Sequence, residues 1–402
     1  METPMKLKTL ASALTLALGT LASASAAEPP VKIGFITDLS GVYSAVDGPG
    51  GVAAIKMAIA DFGGSVLGRK VELVSFDHQN KADLAAGKAK EYLSQDGVDM
   101  LMGGTNSATA LAMEPIAAQY KKPFFVVGAG ASSIVGKQCT PYTVMYAYNT
   151  TALARGTASA VIKNGGKSWY FLTADYAFGK SLENEAAKVV KADGGTVVGQ
   201  VLAPLGASDF SSYLLQAQAS KAQVLGLANA GGDADNAIKQ ANQFGVTKTM
   251  KLAGLLLFIT DIHSVGLPAA QGLYLTTPWY WNQNAQSRAW AERYFKEMHA
   301  MPTFLQAGDY SAALTYLKAV KAAGTTDGTK VMAEMRKMKV NDMYMKDGFM
   351  RPSGLMIHDM YLEQVKTPAE SKEPWDYYKL VQTIPGNDAF GPASAYGCPL
   401  DK

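Results

Sequence analysis

The sequence predicts an α/β protein built from two similar units. Three observations lead to this prediction: apolar segments alternate with amphipathic helical segments from residue 31, the alternation restarts near residue 168, and no low-complexity linker separates the halves. A β-α-β-α order places the strands in a parallel sheet with helices on both faces. The chain has 402 residues, a length that suits two domains of ordinary size.

The first unit is predicted to contain four strands with three helices between them. Apolar residues spaced by three and four positions, such as Val52, Ile55 and Ile59, indicate the helices. The strands are VKIGFITDL (31–39), RKVELVSFD (69–77), VDMLMG (98–103) and PFFVVGA (123–129), and the helices occupy 50–63, 82–95 and 107–120.

The second unit repeats this order and is followed by two long helices and a final hairpin. The helix over 181–195 ends in two glycines, as a helix C-terminus favours. The predicted strands are 168–175, 196–204, 222–230 and 251–257, a further strand lies within 271–282, the long helices occupy 284–300 and 307–324, and two short strands lie between 351 and 385.

The N-terminus has the pattern of a secretory signal peptide. Lys6 and Lys8 precede an apolar run over 9–27 that ends in Ala24-Ser25-Ala26. We expect residues 1–26 to be removed near Ala26, and small residues at the cut favour cleavage over the alternative of an N-terminal anchor. No later segment has about 18 consecutive apolar residues, so no membrane insertion is expected.

Cysteine content and charge limit the remaining classes. In an exported chain, Cys139 and Cys398 are expected to form one disulfide that ties the C-terminal tail back to residue 139, and two unpaired buried thiols are the alternative. Two cysteines alone cannot make a structural zinc site. The net charge of +3 gives no electrostatic reason to expect nucleic acid as a partner.

The segment GAGASS (128–133) resembles a dinucleotide-binding turn but lacks its context. Such a turn belongs after the first strand of a unit and has an acid about 20 residues later. Here it follows the fourth strand, and no acid lies between Gly130 and Asp175. Neither a P-loop, a G-x-S-x-G elbow nor an H-E-x-x-H motif is present, and His78, His263, His299 and His358 are scattered. We therefore expect no enzyme activity, cofactor or metal.

Three glycine-rich strand ends suggest a binding site instead. They are GGTNSAT (103–109), GAGASS (128–133) and ANAGGD (228–233). Ligands of open parallel sheets bind beyond the carboxyl ends of strands, where helix N-termini suit a carboxylate. Tight turns are the alternative. The recurrence of such loops in both units favours binding.

Several stretches together resemble the leucine/isoleucine/valine-binding family of periplasmic solute receptors, which serve ABC importers. These stretches are 31–104, TADYAFGKSLENEAAKVVKADGGTVVG (173–199) and AGDYSAALTYLKAVKAAGTTDG (307–328). The resemblance implies a periplasmic monomer that delivers a small carboxylate to a membrane permease. It also implies two Rossmann-like lobes (periplasmic binding protein type I) joined by a three-crossing hinge that closes over the ligand. We expect the first lobe to be 27–146 plus 277–352, and the second 147–276 plus 353–402.

The resemblance also implies which residues bind the ligand. Hydroxyl and backbone groups of the first lobe are expected to hold its carboxylate, and side chains of the second lobe are expected to cover the rest. The first-lobe residues are Tyr43, Asn106, Ser107, Ala129, Gly130, Ala131 and Ser132; the second-lobe residues are Tyr176, Phe178, Asn229 and Ala230; Tyr148 and Trp281 lie near the first and second crossings.

One departure from the family bears on the ligand. Members that bind amino acids place a carboxylate in the second lobe against the ligand's ammonium group, and the corresponding stretch here, Leu255–Phe258, contains no acid. A buried ammonium without a counter-ion is unfavourable. We therefore expect an aromatic acid such as a benzoate or hydroxycinnamate, which the aromatic side chains could stack. Asp233, Asp235 or Asp261 could still supply the charge, so a branched-chain or other neutral amino acid is the alternative, with a ligand sensor or an enzyme behind it.

Overall fold

A computed structural model of the chain describes residues 1–2, 28–103 and 105–401. The predicted signal peptide and its cut near Ala26 therefore lie outside the described residues, apart from Met1 and Glu2. Within the described part of the chain, no helix is both long and apolar enough to cross a membrane.

Residues 31–145 form a six-stranded sheet with its helices. The elements are β1 (Val31–Thr37), α1 (Gly48–Asp61), β2 (Ser65–Val66), β3 (Arg69–Asp77), α2 (Ala82–Ser94), β4 (Met100–Gly103), α3 (Ser107–Gln119), β5 (Phe124–Val126) and β6 (Thr143–Met145). The strand order is β2-β3-β1-β4-β5-β6, and every pairing is parallel except that of β2 with β3. All residues of β1 but Lys32 are buried, as expected for a strand covered on both faces.

Residues 150–277 form a second, four-stranded parallel sheet and begin a third one. The elements are α4 (Thr150–Lys163), β7 (Ser168–Ala174), α5 (Ala177–Ala192), β8 (Thr196–Ala203), α6 (Ser211–Ala219), β9 (Val224–Ala228), α7 (Gly232–Gln243), β10 (Lys251–Gly254), α8 (Ile259–Val265), α9 (Leu267–Ala270) and β11 (Tyr274–Thr277). The parallel sheet has the order β10-β9-β7-β8.

The residues after β11 add helices to the first sheet and two strands to the sheet that β11 begins. The elements are α10 (Ala285–Met298), α11 (Phe304–Ala323), α12 (Gly328–Met335), β12 (Phe349–Met350), β13 (Met356–Ile357), β14 (Met360–Val365), β15 (Tyr378–Ile384) and α13 (Gly386–Phe390). Strands β14 and β15 form the predicted hairpin and pair with β11 in an antiparallel sheet. Helix α11 packs on α1, and Leu355 pairs with Met145 beside the first sheet.

We call the six-stranded sheet with α1–α3 and α10–α12 the first lobe, and the four-stranded sheet with α4–α9, β11, β14 and β15 the second lobe. The chain passes between them after β6, after β11 and after β13. These three passages correspond to the predicted three-crossing hinge. The exact residue boundaries of the lobes predicted from the sequence remain a prediction.

Helix caps connect distant segments at the cleft between the lobes. Thr303 begins α11 with a capping box, in which its Oγ1 accepts from the backbone N–H of Gln306 while the Gln306 side chain accepts from the Thr303 N–H. The same Thr303 hydroxyl donates to the backbone oxygen of Val46 at 2.6 Å. A cap of this kind stabilises a helix by about 1 kcal/mol, and here it also fixes the loop after β1.

A buried carboxyl lies beside the second crossing. The Thr277 hydroxyl donates to Oε2 of Glu363 at 2.9 Å, and burial raises the pKa of Glu363 to about 8. In the unfolded chain this pKa is about 4.3. Between these values the folded state binds a proton that the unfolded state releases, so the stability linked to Glu363 is complete below pH 4.3 and is lost as pH rises through 8.

We predict that Glu363→Gln flattens this pH dependence. The neutral amide keeps an acceptor for Thr277 and carries no ionisation, so the variant should lose less stability than the wild type between pH 5 and pH 8. The difference in slope should approach about 1.4 kcal/mol per pH unit within that window. Urea unfolding at several pH values measures it, and parallel curves for the two proteins would contradict the assignment.

Candidate functional site

Loops that follow neighbouring parallel strands come together at the cleft. In the first lobe they follow β1, β4 and β5, which are adjacent in the sheet. In the second lobe they follow β7, β9 and β10. Because the carboxyl ends of parallel strands lie at one sheet edge, each lobe presents three such loops to the other.

The two lobes contact each other directly across this cleft. The hydroxyls of Tyr43 and Tyr176 are 2.6 Å apart, and the backbone N–H of Gly232 donates to the oxygen of Val42 at 3.2 Å. Gly231 has φ +57, and a Cβ there would lie 2.8 Å from the Val42 oxygen. Only glycine therefore permits this approach without displacement of the backbone.

A small cavity of about 10 Å³, close to the size of one water molecule, lies between the lobes. Its lining combines aromatic rings, aliphatic side chains and hydroxyls, and among the described residues that line it there is no acidic, basic or histidine side chain. The lining residues are Tyr43, Val46, Thr105, Gly128, Tyr148, Tyr176, Phe178, Ala230, Leu256, Phe258 and Leu305.

Five aromatic rings form much of the cavity wall. Phe304, behind the wall, fixes two of them, because its ring stacks on Phe258 at 4.7 Å and meets Tyr148 edge-on at 5.7 Å between centroids. The rings of Tyr176 and Phe178 are 6.1 Å apart. Such packing holds flat apolar surfaces ready for a flat apolar group.

The three tyrosines of the wall also supply hydroxyls. Tyr148 donates to the backbone oxygen of Gly128 at 2.5 Å, and Tyr43 and Tyr176 bond to each other. Burial raises the pKa of all three phenols above the ordinary value. They therefore remain neutral hydrogen-bonding groups at physiological pH.

Thr105 is a buried hydroxyl that no described residue satisfies. It is 7% exposed, lines the cavity, and its Oγ1 has no hydrogen-bond partner among the described residues. It lies directly before α3, where Asn106 is the N-cap and accepts from the N–H groups of Ala108 and Thr109. Buried hydroxyls are normally paired, and a helix N-terminus favours negative charge. This corner of the cavity therefore suits an oxygen anion.

Comparison with known proteins identifies the family. The periplasmic binding protein family matches residues 30–372. The chain belongs to the periplasmic binding protein family. Its predicted resemblance to the leucine/isoleucine/valine-binding receptors is confirmed, and so is the α/β fold class with two Rossmann-like lobes. The proteins of this family are solute-binding receptors, and periplasmic location follows from the family.

The chain is similar to one named relative and to solved structures of other binding proteins. Leu/Ile/Val-binding protein homolog 6 of Brucella abortus is 33% identical over 210 residues, or 52% of this chain, and the chain spans about half (53%) of that relative's length. A periplasmic binding protein from Burkholderia mallei is 63% identical with a TM-score of 0.92, over 93% of this chain and 99% of its own. An ABC transporter solute-binding protein from Rhodopseudomonas palustris, crystallised with 3,4-dihydroxybenzoic acid, is 25% identical with a TM-score of 0.81, over 89% of this chain and 98% of its own.

The residues proposed from the sequence occupy three kinds of position in this binding protein. Five of them line the cavity: Tyr43, Tyr148, Tyr176, Phe178 and Ala230. Gly130 adjoins it, since a Cβ there would lie 2.5 Å from the Tyr148 ring and 3.1 Å from the Phe178 ring. The others lie behind the wall or at the lobe boundary.

The residues outside the cavity lining have identifiable partners or positions. Asn106 caps α3, Ser107 Oγ accepts from the Ala131 N–H at 3.1 Å, and Ala129 and Ala131 are buried behind the wall. Ser132 bonds to Thr150 and Thr151 across the lobe boundary. Asn229 is buried, and its Oδ1 has no hydrogen-bond partner in the described part of the chain. The Trp281 ring N–H donates to the backbone oxygen of Trp375 at 2.9 Å.

The three acids considered as partners for an ammonium group do not line the cavity. Both oxygens of Asp233 lie 3.1 Å from the Gly206 N–H, and Asp261 accepts from the N–H of Phe258 at 2.9 Å. Burial raises the pKa of Asp233 and of Asp235 to about 6. In the described part of the chain, no group of three His, Cys, Asp or Glu side chains could hold a metal ion.

Six lining residues are not among those proposed from the sequence: Val46, Thr105, Gly128, Leu256, Phe258 and Leu305. Thr105 could have been predicted, because a hydroxyl at the end of a buried strand is a typical ligand contact. Leu256 and Phe258 entered the sequence analysis only as part of the stretch that contains no acid. Leu305 comes from α11, more than 170 residues after the first-lobe loops that it joins, and no local pattern indicates such a contact.

We predict that Gly130→Ala destabilises the protein. The new methyl group would overlap the rings of Tyr148 and Phe178, and overpacking of this kind costs about 1–3 kcal/mol. Gly87→Ala is the matched control, since its Cβ meets nothing within 4 Å. Thermal unfolding should show a lower midpoint for the first variant and an equal or higher one for the control. Equal midpoints for Gly130→Ala and the wild type would contradict the close approach.

Proposed function

We propose that this chain is the extracytoplasmic receptor of an ABC transporter and captures a small carboxylate between its lobes, with an aromatic acid such as a benzoate or hydroxycinnamate preferred. One observation carries the proposal: five aromatic rings line a narrow cavity in which the described lining residues include no acid or base. The lobes must separate to admit an aromatic acid, because the cavity in this arrangement has room for about one water. The rings of the wall then suit an aromatic group, and neutral donors and a helix end can hold a carboxylate.

The carboxylate end of the ligand is assigned to the corner at Thr105. The Thr105 hydroxyl has no hydrogen-bond partner among the residues that the structure describes, and α3 begins two residues later. A hydrogen bond to a charged group contributes about 1.5–3 kcal/mol, and the partial positive charge of the helix end adds to it. Ser107 Oγ accepts from the backbone N–H of Ala131, and this bond keeps the loop 128–132 next to the start of α3.

The ring end of the ligand is assigned to the aromatic wall. Offset or edge-on contacts between rings contribute about 0.5–1.5 kcal/mol beyond burial of area. The phenols of Tyr43 and Tyr176 already bond to each other, and each hydroxyl can also bond to a ring substituent. The relative from Rhodopseudomonas palustris, crystallised with 3,4-dihydroxybenzoic acid, supports an aromatic acid as a ligand of this fold.

The second candidate is a branched-chain or other neutral amino acid. The Brucella relative is named for leucine, isoleucine and valine, and Val46, Leu256 and Leu305 offer aliphatic surface. Asp233 lies close enough to raise the pKa of Tyr43 and Tyr176. It is turned towards Gly206, however, so an ammonium group in the cavity would lack a direct counter-ion, which is unfavourable.

The partner and location follow the same proposal. A receptor of this kind works as a monomer in the periplasm and presents its closed form to a membrane permease. Use of the same cleft by a signalling partner is the alternative for its role, and turnover of a bound acid would instead indicate an enzyme.

A ligand panel tests the proposal directly. Thermal shift should show stabilisation by benzoates or hydroxycinnamates and little effect of leucine, isoleucine or valine. A ligand at 100 times its Kd stabilises the folded state by about 2.7 kcal/mol. Stabilisation by the aliphatic amino acids alone would overturn the aromatic preference and leave the receptor class intact.

We predict that Thr105→Val weakens binding of the best acid in that panel. The change keeps the shape of the side chain and removes the hydroxyl, so Kd should rise about 10- to 100-fold, as expected for a hydrogen bond to a charged group. Thr196→Val, at the exposed start of β8, is the control and should leave Kd unchanged. Isothermal titration measures both values, and an unchanged Kd for Thr105→Val would refute the assigned carboxylate corner.

A further inference from the structure

The last residues of the chain run from the second lobe back to the first. We call residues 385–401 the C-terminal strap. Its beginning follows β15 and forms α13, which packs on α4 of the second lobe. There the Arg155 side chain donates to the backbone oxygen of Asp388 at 3.0 Å. The near end of the strap therefore packs on the second lobe, and it also contacts the hairpin of β12 and β13, where Arg351 donates to the Asn387 side chain at 3.1 Å.

The far end of the strap is attached to the first lobe. Cys398 and Cys139 form a disulfide with their Cα atoms 5.8 Å apart. Cys139 lies between β5 and β6, both strands of the first sheet. The Asp401 side chain also accepts from the backbone N–H of Ser353 at 2.8 Å, next to the hairpin of β12 and β13. This end is therefore held covalently and by a hydrogen bond.

The middle of the strap contacts the first crossing. The Tyr396 hydroxyl accepts from the Asn149 side chain at 2.9 Å and donates to the backbone oxygen of Phe390. Asn149 is the N-cap of α4, where the chain enters the second lobe. Gly391 and Gly397, with φ +71 and +74, flank the segment between these points. The strap thus bends at both ends of the part that spans the lobes.

We propose that the C-terminal strap is a fourth connection between the lobes, closed by the disulfide, and that it limits how far they separate. Six residues lie between Gly391 and Cys398, and Ala393–Ala395 among them form a 3-10 helix. Even fully extended, this segment spans at most about 25 Å, which sets an upper limit on the separation of its two ends. Separation of the lobes must unwind and extend this segment or detach Tyr396 from Asn149. This inference does not depend on the identity of the ligand.

Small-angle scattering of the ligand-free protein tests the proposal. One variant combines Cys139→Ser with Cys398→Ser and releases the far end. A second inserts Gly-Ser-Gly-Ser after Gly391 and lengthens the strap with the disulfide intact, which changes loop-closure entropy only slightly. The control carries the same insertion after Gly194, a turn whose Cβ position is open.

If the strap limits separation, the radius of gyration should rise in both strap variants and remain at the wild-type value in the control. Should the serine variant fail to fold, the insertion variant decides the question. Wild-type scattering from a folded insertion variant would overturn the proposal and reduce the strap to an anchor for the chain end. A failed ligand panel with increased radii would instead leave the strap in place and reject only the proposed ligand.

Discussion

The hydrogen bond between the hydroxyls of Tyr43 and Tyr176 joins the lobes at the cavity, and much of the surrounding structure holds these two residues in place. Asp38 accepts from the N–H groups of Gly41 and Tyr43, which shapes the loop after β1. Thr303 holds the same loop to α11 through Val46. Tyr176 lies at the N-cap position of α5, directly after β7. The contact therefore depends on both parallel sheets, because each sheet ends its strands at the cleft.

The buried acids near the cavity do not line it. Asp47, next to the loop that carries Val46, accepts from the Thr37 hydroxyl at 2.8 Å and lies beside Asp309. Burial raises the pKa of both carboxyls, and Asp47 raises the pKa of Asp309 further, so the pair favours a shared proton over two charges. Asp233, with a pKa of about 6, is likewise turned away from the cavity. The proposed anionic ligand would thus meet hydroxyls and a helix end, with little fixed negative charge opposed to it.

The sequence predicted what depends on local pattern and missed what depends on long-range packing. The alternation of strands and helices was readable because buried parallel strands are apolar and helices carry a three-to-four spacing. Strand β6 has three residues, and no strand was predicted there. In the site, Tyr43 and Tyr176 came from the resemblance to the family, and Tyr148 came from its place near the first crossing. Asn106 and Thr105 are adjacent polar residues in one loop, and only the cap geometry decides that Asn106 serves α3 while Thr105 lines the cavity. Leu305 could not be predicted from local pattern, because α11 reaches the cavity only when the chain returns to the first lobe.

The loop 128–131 connects the cavity wall to the hinge. The Tyr148 hydroxyl donates to the oxygen of Gly128, and the N–H of Thr150 donates to the oxygen of Gly130 at 2.8 Å. Both donors lie in the chain that leaves the first lobe at its first crossing, where Tyr146 bonds to Ser311 and Thr315 of α11. A group that displaces Tyr148 by a fraction of an ångström therefore acts on the crossing itself, because no flexible residue intervenes. Tyr148 therefore belongs both to the cavity wall and to the segment that makes the first crossing, so the cavity and the hinge share one side chain.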